Sequence, residues 1–232
     1  MPEALRDPLT VVKAINTLQA HISEMGITLS CSSDFKEFAE LRKQVRSDKV
    51  SPMFDPDFNN LNELNSFCII AKNRHGRISA FQACRLDTVD GSLADWAMRW
   101  MTGHYLMRSE LITPAPEQVA YSSVAREISG RVVYHGELWI DREFRNKDCS
   151  MYFPRLALMI SLLKWQPTAI WGLIGGSVAT GGLSVRIGYP HMESNFFRWD
   201  IAPKGAMNSE FVTLARKSDL EFLAADTVAK PL

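Results

Sequence analysis

The run Arg145-Asn-Lys-Asp-Cys-Ser150 lies where a strand-like segment ends and an apolar, helix-like segment begins. A loop in that position gathers the unpaired N–H groups of the first helical turn and the positive end of the helix dipole, which together suit a phosphate group. Ile140 closes the strand. Arg142, Arg145 and Lys147 supply positive charge, and the backbone of Asn146, Asp148, Cys149 and Ser150 supplies donors. Asp148 works against this arrangement. A like charge ~4 Å from a phosphate oxygen costs on the order of 1–4 kcal/mol, and its carboxylate could instead cap the helix and occupy the same N–H groups. A solvated charged turn is the alternative reading, and Pro154 requires the helix to start late or with a distorted first turn.

The strand over 131–140 carries the other candidate groups. Strict alternation puts Val133, His135, Glu137 and Trp139 on one face. Glu137, between apolar neighbours, is the general-base candidate, because desolvation favours its taking up a proton. The alternative is a structural pair with a cross-strand arginine such as Arg131 or Arg126. His135 is either a proton relay or a strand histidine satisfied by a backbone partner. Glycines 172, 175, 176, 181 and 182 mark places where backbone or ligand approaches closely.

These groups need elements to hold them. Asp7 as a cap, Pro8 in the first turn and apolar residues at 11, 15, 18, 22 and 25 give a helix over 8–25, stopped by Gly26. A strand at 27–30, a helix opened by Asp34 and Glu37, and a loop over 52–65 follow. Strands 66–71 and 77–84 form a hairpin across Asn73-Arg-His-Gly76. Residues 93–107 read as a helix, and 119–128 are ambiguous between helix and strand. Helix 151–165, strand 169–174, helix 178–187 and a closing pair at 196–201 and 210–215 complete the chain. Strands and helices interleave without a composition break, so the expectation is one α+β domain over 1–232, with an appended helix at 8–25 and a core at 27–215.

Lys+Arg and Asp+Glu number 26 each in 232 residues, so no global field draws the chain to nucleic acid or an anionic membrane. Four scattered cysteines without a C-x-x-C pair read as reduced thiols. Five histidines with no ligand spacing imply no metal. The N-terminus has no signal-like apolar run and nothing reaches the ~20 apolar residues of a spanning helix, so the expected location is cytoplasmic.

Over residues 27–215, and most clearly over 136–189, the succession resembles the GCN5-related N-acetyltransferase (GNAT) superfamily. That resemblance implies a mixed, mostly antiparallel central sheet flanked by helices, with two central strands splayed to admit a pantetheine arm. It implies acyl transfer from acyl-CoA (acetyl-CoA) or an acyl carrier protein to the amine of a small molecule or amino acid. The family's Arg/Gln-x-x-Gly-x-Gly/Ala loop falls on Arg145, Asp148 and Ser150, with Asp148 departing from it. The family tyrosine that protonates the departing thiolate falls on Ser184, and Tyr189 or Tyr152 would have to substitute. Phe54-Asp-Pro-Asp57 and Arg85-Leu-Asp-Thr88 are similar to segments of the acyl-homoserine-lactone and N-acyl-amino-acid synthase branch, which uses acyl carrier protein. On that reading Arg85 and the 93–107 helix, with Trp96, Trp100 and Tyr105, line the substrate side; a helix merely docked on the core is the alternative. A homodimer is compatible. A protein that kept the fold and lost its chemistry is the reading from a different class.

Overall fold

A computed structural model describes residues 5–115, 122–145, 148–204 and 206–229. The chain opens with α1 (Pro8–Glu24), whose first turn is capped by the Asp7 carboxylate at the amides of Leu9 and Thr10. Then come β1 (Ile27–Ser32), α2 (Phe35–Lys43), β2 (Ser66–Asn73), β3 (Ile78–Val89), α3 (Leu93–Met107) and the short β4 (Thr113–Pro114). The second half holds α4 (Ser123–Arg126), β5 (Gly130–Ile140), α5 (Arg142–Arg145), α6 (Cys149–Trp165) and β6 (Ala169–Ile174). It closes with α7 (Gly176–Thr180), α8 (Leu183–Ile187), β7 (His191–Ile201), β8 (Ser209–Arg216) and α9 (Lys217–Ala229).

The strands form one eight-stranded sheet in the order β1-β2-β3-β5-β6-β8-β7-β4. Among the described strands only β5 and β6 run parallel; the rest pair antiparallel. The expected mixed, mostly antiparallel sheet flanked by helices is what the chain forms. The segment expected as one helix over 178–187 is two, α7 and α8, because Gly181 and Gly182 interrupt it and Gly182 takes a left-handed φ of 70°. Helix α9 was not anticipated: its hydrophobic positions do not form a helical stripe, although Leu220, Leu223 and Ala224 are buried. The ambiguous stretch at 119–128 holds α4, and its first residues lie outside the described ones.

Two apolar layers cover the sheet. On one face, α6 lies beneath α1 and α9, so it is buried nearly all round rather than along one stripe. Val11, Ala14, Leu18 and Ile22 of α1 join this cluster together with Val133 and Ile170. The other face carries α2, α3 and the 44–65 loop over an aromatic group that includes Phe54, Tyr134, Trp171, Phe196 and Trp199.

That loop is held by arginines from three elements. Arg42 of α2 bonds the Asp48 backbone oxygen and its carboxylate, the latter at 3.0 Å. Arg85 of β3 reaches the Met53 carbonyl at 2.8 Å and Asn59 at 2.7 Å. Arg108, just after α3, contacts Asp55 at 3.2 Å and the Val50 carbonyl. Phe54, fully buried, stacks between Phe35 and Tyr134, each 5.7 Å away.

Candidate active site at a divergence in the sheet

The parallel ladder between β5 and β6 consists of Val132↔Ala169, Val133↔Ile170 and Tyr134↔Trp171, and then it stops. Strand β5 nevertheless runs on to Ile140 and β6 to Ile174. The cause is local. Between Gly136 and Trp139 the register with β3 slips by one residue, and Glu137 takes φ 55°. This bulge bends β5 away from its parallel neighbour and leaves it paired to β3 alone. Gly136 is required there, since a Cβ would come within 2.8 Å of the Phe54 ring and 2.9 Å of Tyr134.

The bulge also changes which side chains share a face. Strict alternation put His135, Glu137 and Trp139 together; in the structure they separate. His135 follows Val133 toward the α6 side, whereas Trp139 stacks on Phe81 at 5.2 Å on the aromatic side, and Glu137 points to α2. The Glu137 carboxylate is 4% exposed and fully engaged: one oxygen accepts from Arg42 Nε at 2.5 Å, the other from the Ser51 amide at 2.6 Å. Its partner is therefore neither Arg131 nor Arg126 but an arginine 95 residues earlier in the chain.

On the opposite face His135 is buried between Tyr189 and Gln82. Gln82 donates its amide N–H to the Phe153 carbonyl at 2.6 Å, so its oxygen faces His135 Nε2 at 3.0 Å and must accept from it. The proton thus sits on Nε2, and Nδ1 accepts from the Tyr189 hydroxyl at 2.8 Å. Burial holds the imidazole neutral, with its pKa down at about 4, and pushes the Tyr189 phenol well above its ordinary value. Ser184, at the position the resemblance gives to a tyrosine, is buried, and among the described residues its hydroxyl has no hydrogen-bond partner. Tyr152 stacks on His21 at 5.1 Å.

The basic loop lies beyond the end of β5. Ile140 is buried at the end of the strand, and Arg145 donates from Nε to its carbonyl at 2.8 Å. Arg142 is exposed; Asn146 and Lys147 lie outside the described residues. Asp148 does not cap α6 with its side chain, contrary to one of the sequence readings. It takes a left-handed φ of 30°, and only its carbonyl is used, by the amides of Met151 and Tyr152 at 2.7 and 2.9 Å. The first-turn donors at Cys149 and Ser150 are left clear of its carboxylate. Cys149 is buried, which pushes its thiol up to about 11, so it is a packing residue in this turn. Pro154 sits inside α6, six residues in, and the helix continues through it.

The residues expected on the substrate side are built into the aromatic layer. Trp96 and Trp100 stack at 5.1 Å, and Trp100 meets Tyr134 and Trp171 edge-on at 5.2 and 5.8 Å. Arg85 lies over Trp100 at 5.2 Å. Tyr105 packs edge-on to Trp199 at 6.1 Å.

One carboxylate on this face was not singled out from the sequence. Glu210 of β8 accepts from the Trp199 indole N–H at 3.0 Å, and among the described residues it makes no ion pair. Burial raises its carboxyl above the usual range. The signal was present in the alternation of Glu210 with Val212 and Leu214, which places a charge on a strand face that is otherwise apolar. No cluster of His, Cys, Asp or Glu among the described residues could hold a metal ion, and no described helix is long and apolar enough to cross a membrane.

No family model matches the chain, and no curated protein matches it in sequence. Among solved structures it is similar to Arabidopsis thaliana NAA60 in complex with acetyl-CoA, at 11% identity and TM-score 0.48, covering 82% of this chain and 98% of that one. It is also similar to the dodecameric spermidine N-acetyltransferase of Vibrio cholerae, at 10% identity and TM-score 0.46, covering 84% and 95%. At such identities the chemistry of the site has to be read from its own residues.

Proposed function

We propose that the chain is a GNAT-type N-acyltransferase whose donor is a pantetheine thioester, with acetyl-CoA the simplest case. The observation that supports this most is the divergence of β5 from β6 with the N-terminus of α6 just beyond it. A pantetheine arm is a chain of amides, and the side of β5 that has lost its parallel neighbour offers backbone groups for it to pair with. A pyrophosphate following that arm reaches the first turn of α6, where Cys149 and Ser150 supply N–H groups and Arg142 and Arg145 supply charge. The acceptor amine then comes from the opposite, aromatic face. Acyl carrier protein as an alternative donor, a dimer and a cytoplasmic location are compatible with this reading.

A second reading is favoured by specific observations: Glu137 is bound on both oxygens, and Ser184 stands where a phenol would serve the leaving thiolate. A protein that holds the donor without turning it over would look the same at these two positions. Thermal shift with acetyl-CoA and octanoyl-CoA, followed by thiol release in the presence of amines, separates the two. Donor at 100 times its dissociation constant adds ~2.7 kcal/mol of stability. A shift with thiol release supports transfer, a shift without it supports the binding protein, and no shift rejects both.

A further inference from the structure

We infer, on the acyl-transfer reading above, that Glu137 and Gln82 are positioning residues for the donor. They lock the β5 bulge from opposite faces of the sheet, and the lock holds the parted edge of β5 and the first turn of α6 at the spacing that a pantetheine arm and its pyrophosphate need.

Phe81 pairs with Trp139 and Ala83 with Gly136, so Gln82 alone stands opposite Glu137 and Leu138. The extra residue on β5 is accommodated by the left-handed φ of 55° at Glu137. Glycine takes that conformation freely, whereas a residue with a side chain keeps it only where its surroundings hold it there. At Glu137 the side chain itself supplies the hold. Its two oxygens are tied to two separate pieces of chain, Arg42 Nε of α2 at 2.5 Å and the Ser51 amide at 2.6 Å. Arg42 is in turn fixed by the Asp48 carboxylate at 3.0 Å. A general base must turn an oxygen toward its substrate. Both oxygens of Glu137 are turned toward α2 and the loop.

Gln82 holds the same point from the other face. It is fully buried and pairs in the ladder with Ile69, a member of the cluster beneath α6. Both ends of its amide are used. The oxygen accepts from His135, one residue before Gly136, and the N–H donates to the Phe153 carbonyl at 2.6 Å. Phe153 lies in α6 directly before Pro154. Proline has no N–H, so the rung that would tie the Ser150 carbonyl is missing and the first turn is held less firmly by its own ladder. The bond from Gln82 anchors the helix to the sheet at that weak place. Bonded groups therefore run without a break from the 48–51 segment through Glu137, the bulge and Gln82 to the start of α6, where the Cys149 and Ser150 amides lie.

Spacing counts because the donor makes two contacts with one molecule. Once its arm has paired along β5, the pyrophosphate meets α6 at an effective concentration set by geometry. Moving either half-site loses that gain even though no group that touches the donor has been removed.

The test is acetyl-CoA affinity by calorimetry, measured well below the melting temperature of every variant. Glu137→Gln and Gln82→Met should each weaken acetyl-CoA by about 10-fold or more. Since both act on one bulge, the double variant should lose clearly less than the product of the two single effects. Asp7→Ala, which removes the α1 cap far from the bulge, is the control for lost stability and should bind like the parent. Parent-like affinity in either single variant, the full product in the double variant, or an equal loss in Asp7→Ala overturns the inference. Gln82→Met touches neither Arg42 nor the loop, so its affinity decides the matter if Glu137→Gln does not fold. No binding by the parent protein rejects the donor reading itself, and the inference falls with it.

Discussion

At the scale of single residues, the two buried polar groups at the bulge are held by different kinds of partner. Glu137 is paired with Arg42, and both side chains are almost wholly out of water. Removing one member of such a pair leaves the other uncompensated, a loss of ~3–5 kcal/mol. Glu137→Gln should therefore cost roughly 3 kcal/mol in urea unfolding, toward the low end because Asp48 still contacts Arg42. A change below ~0.5 kcal/mol would show that the pair does not hold the loop. His135 gives a pH signature. Its folded pKa of about 4 lies below the ordinary histidine value, so the neutral form is the one the fold favours. Stability from this group is complete above pH ~6.5 and falls as pH drops toward 4. His104, lowered to about 4 by burial and by Arg85, contributes in the same window. His135→Gln should flatten the loss between those limits without abolishing it, read as melting temperature against pH.

At the scale of elements, most of the strands and long helices were legible because their periodicities are local. Helix α1 has apolar residues at helical spacing and a capping aspartate, and the β2–β3 hairpin has Asn73 and Gly76 at its turn. The face of Glu137 was not legible. It depends on a bulge set by Phe54 pressing on Gly136, a contact between residues far apart in sequence. Glu210 was not singled out because one charged residue at a strand start reads as solvent-facing until β7 is paired beside it and Trp199 donates to it. For α6 the sequence put the start two residues late, at 151, and offered a capping role for Asp148 that its left-handed backbone does not perform. Asp148→Gly removes that strain and should stabilise the protein by about 1 kcal/mol, with acetyl-CoA binding equal or tighter because a negative charge is removed from the turn. Lower melting temperature in this variant would place a favourable role on the Asp148 carboxylate.

At the scale of the whole molecule, the sheet is two four-stranded halves, β1-β2-β3-β5 and β6-β8-β7-β4, joined by three residue pairs. The join depends on close approach of two backbones. A Cβ on Gly172 would lie 2.7 Å from the His135 carbonyl oxygen, and neither group is at the end of a flexible side chain. Gly172→Ala should push the halves apart, lowering stability by ~1–3 kcal/mol and weakening the acetyl-CoA thermal shift beyond what the lost stability explains. If the variant melts and binds like the parent, the approach is looser than the structure has it.

The two halves differ in their order of synthesis as well as in space. Strands β1, β2, β3 and β5 are complete once Ile140 has been made, before any residue of α6 or β6 exists. The first half-sheet can therefore pair up on the ribosome with its β5 edge open, and its α6-facing side stays uncovered until α6 follows. Two features already described act on this exposed intermediate. The bulge at Gly136 and Glu137 twists the open edge away from a flat template, which discourages pairing with another nascent chain. The Arg42–Glu137 pair can form in the same intermediate, since both residues are already present. The kink that parts the strands in the finished protein should therefore also discourage aggregation of the unfinished one.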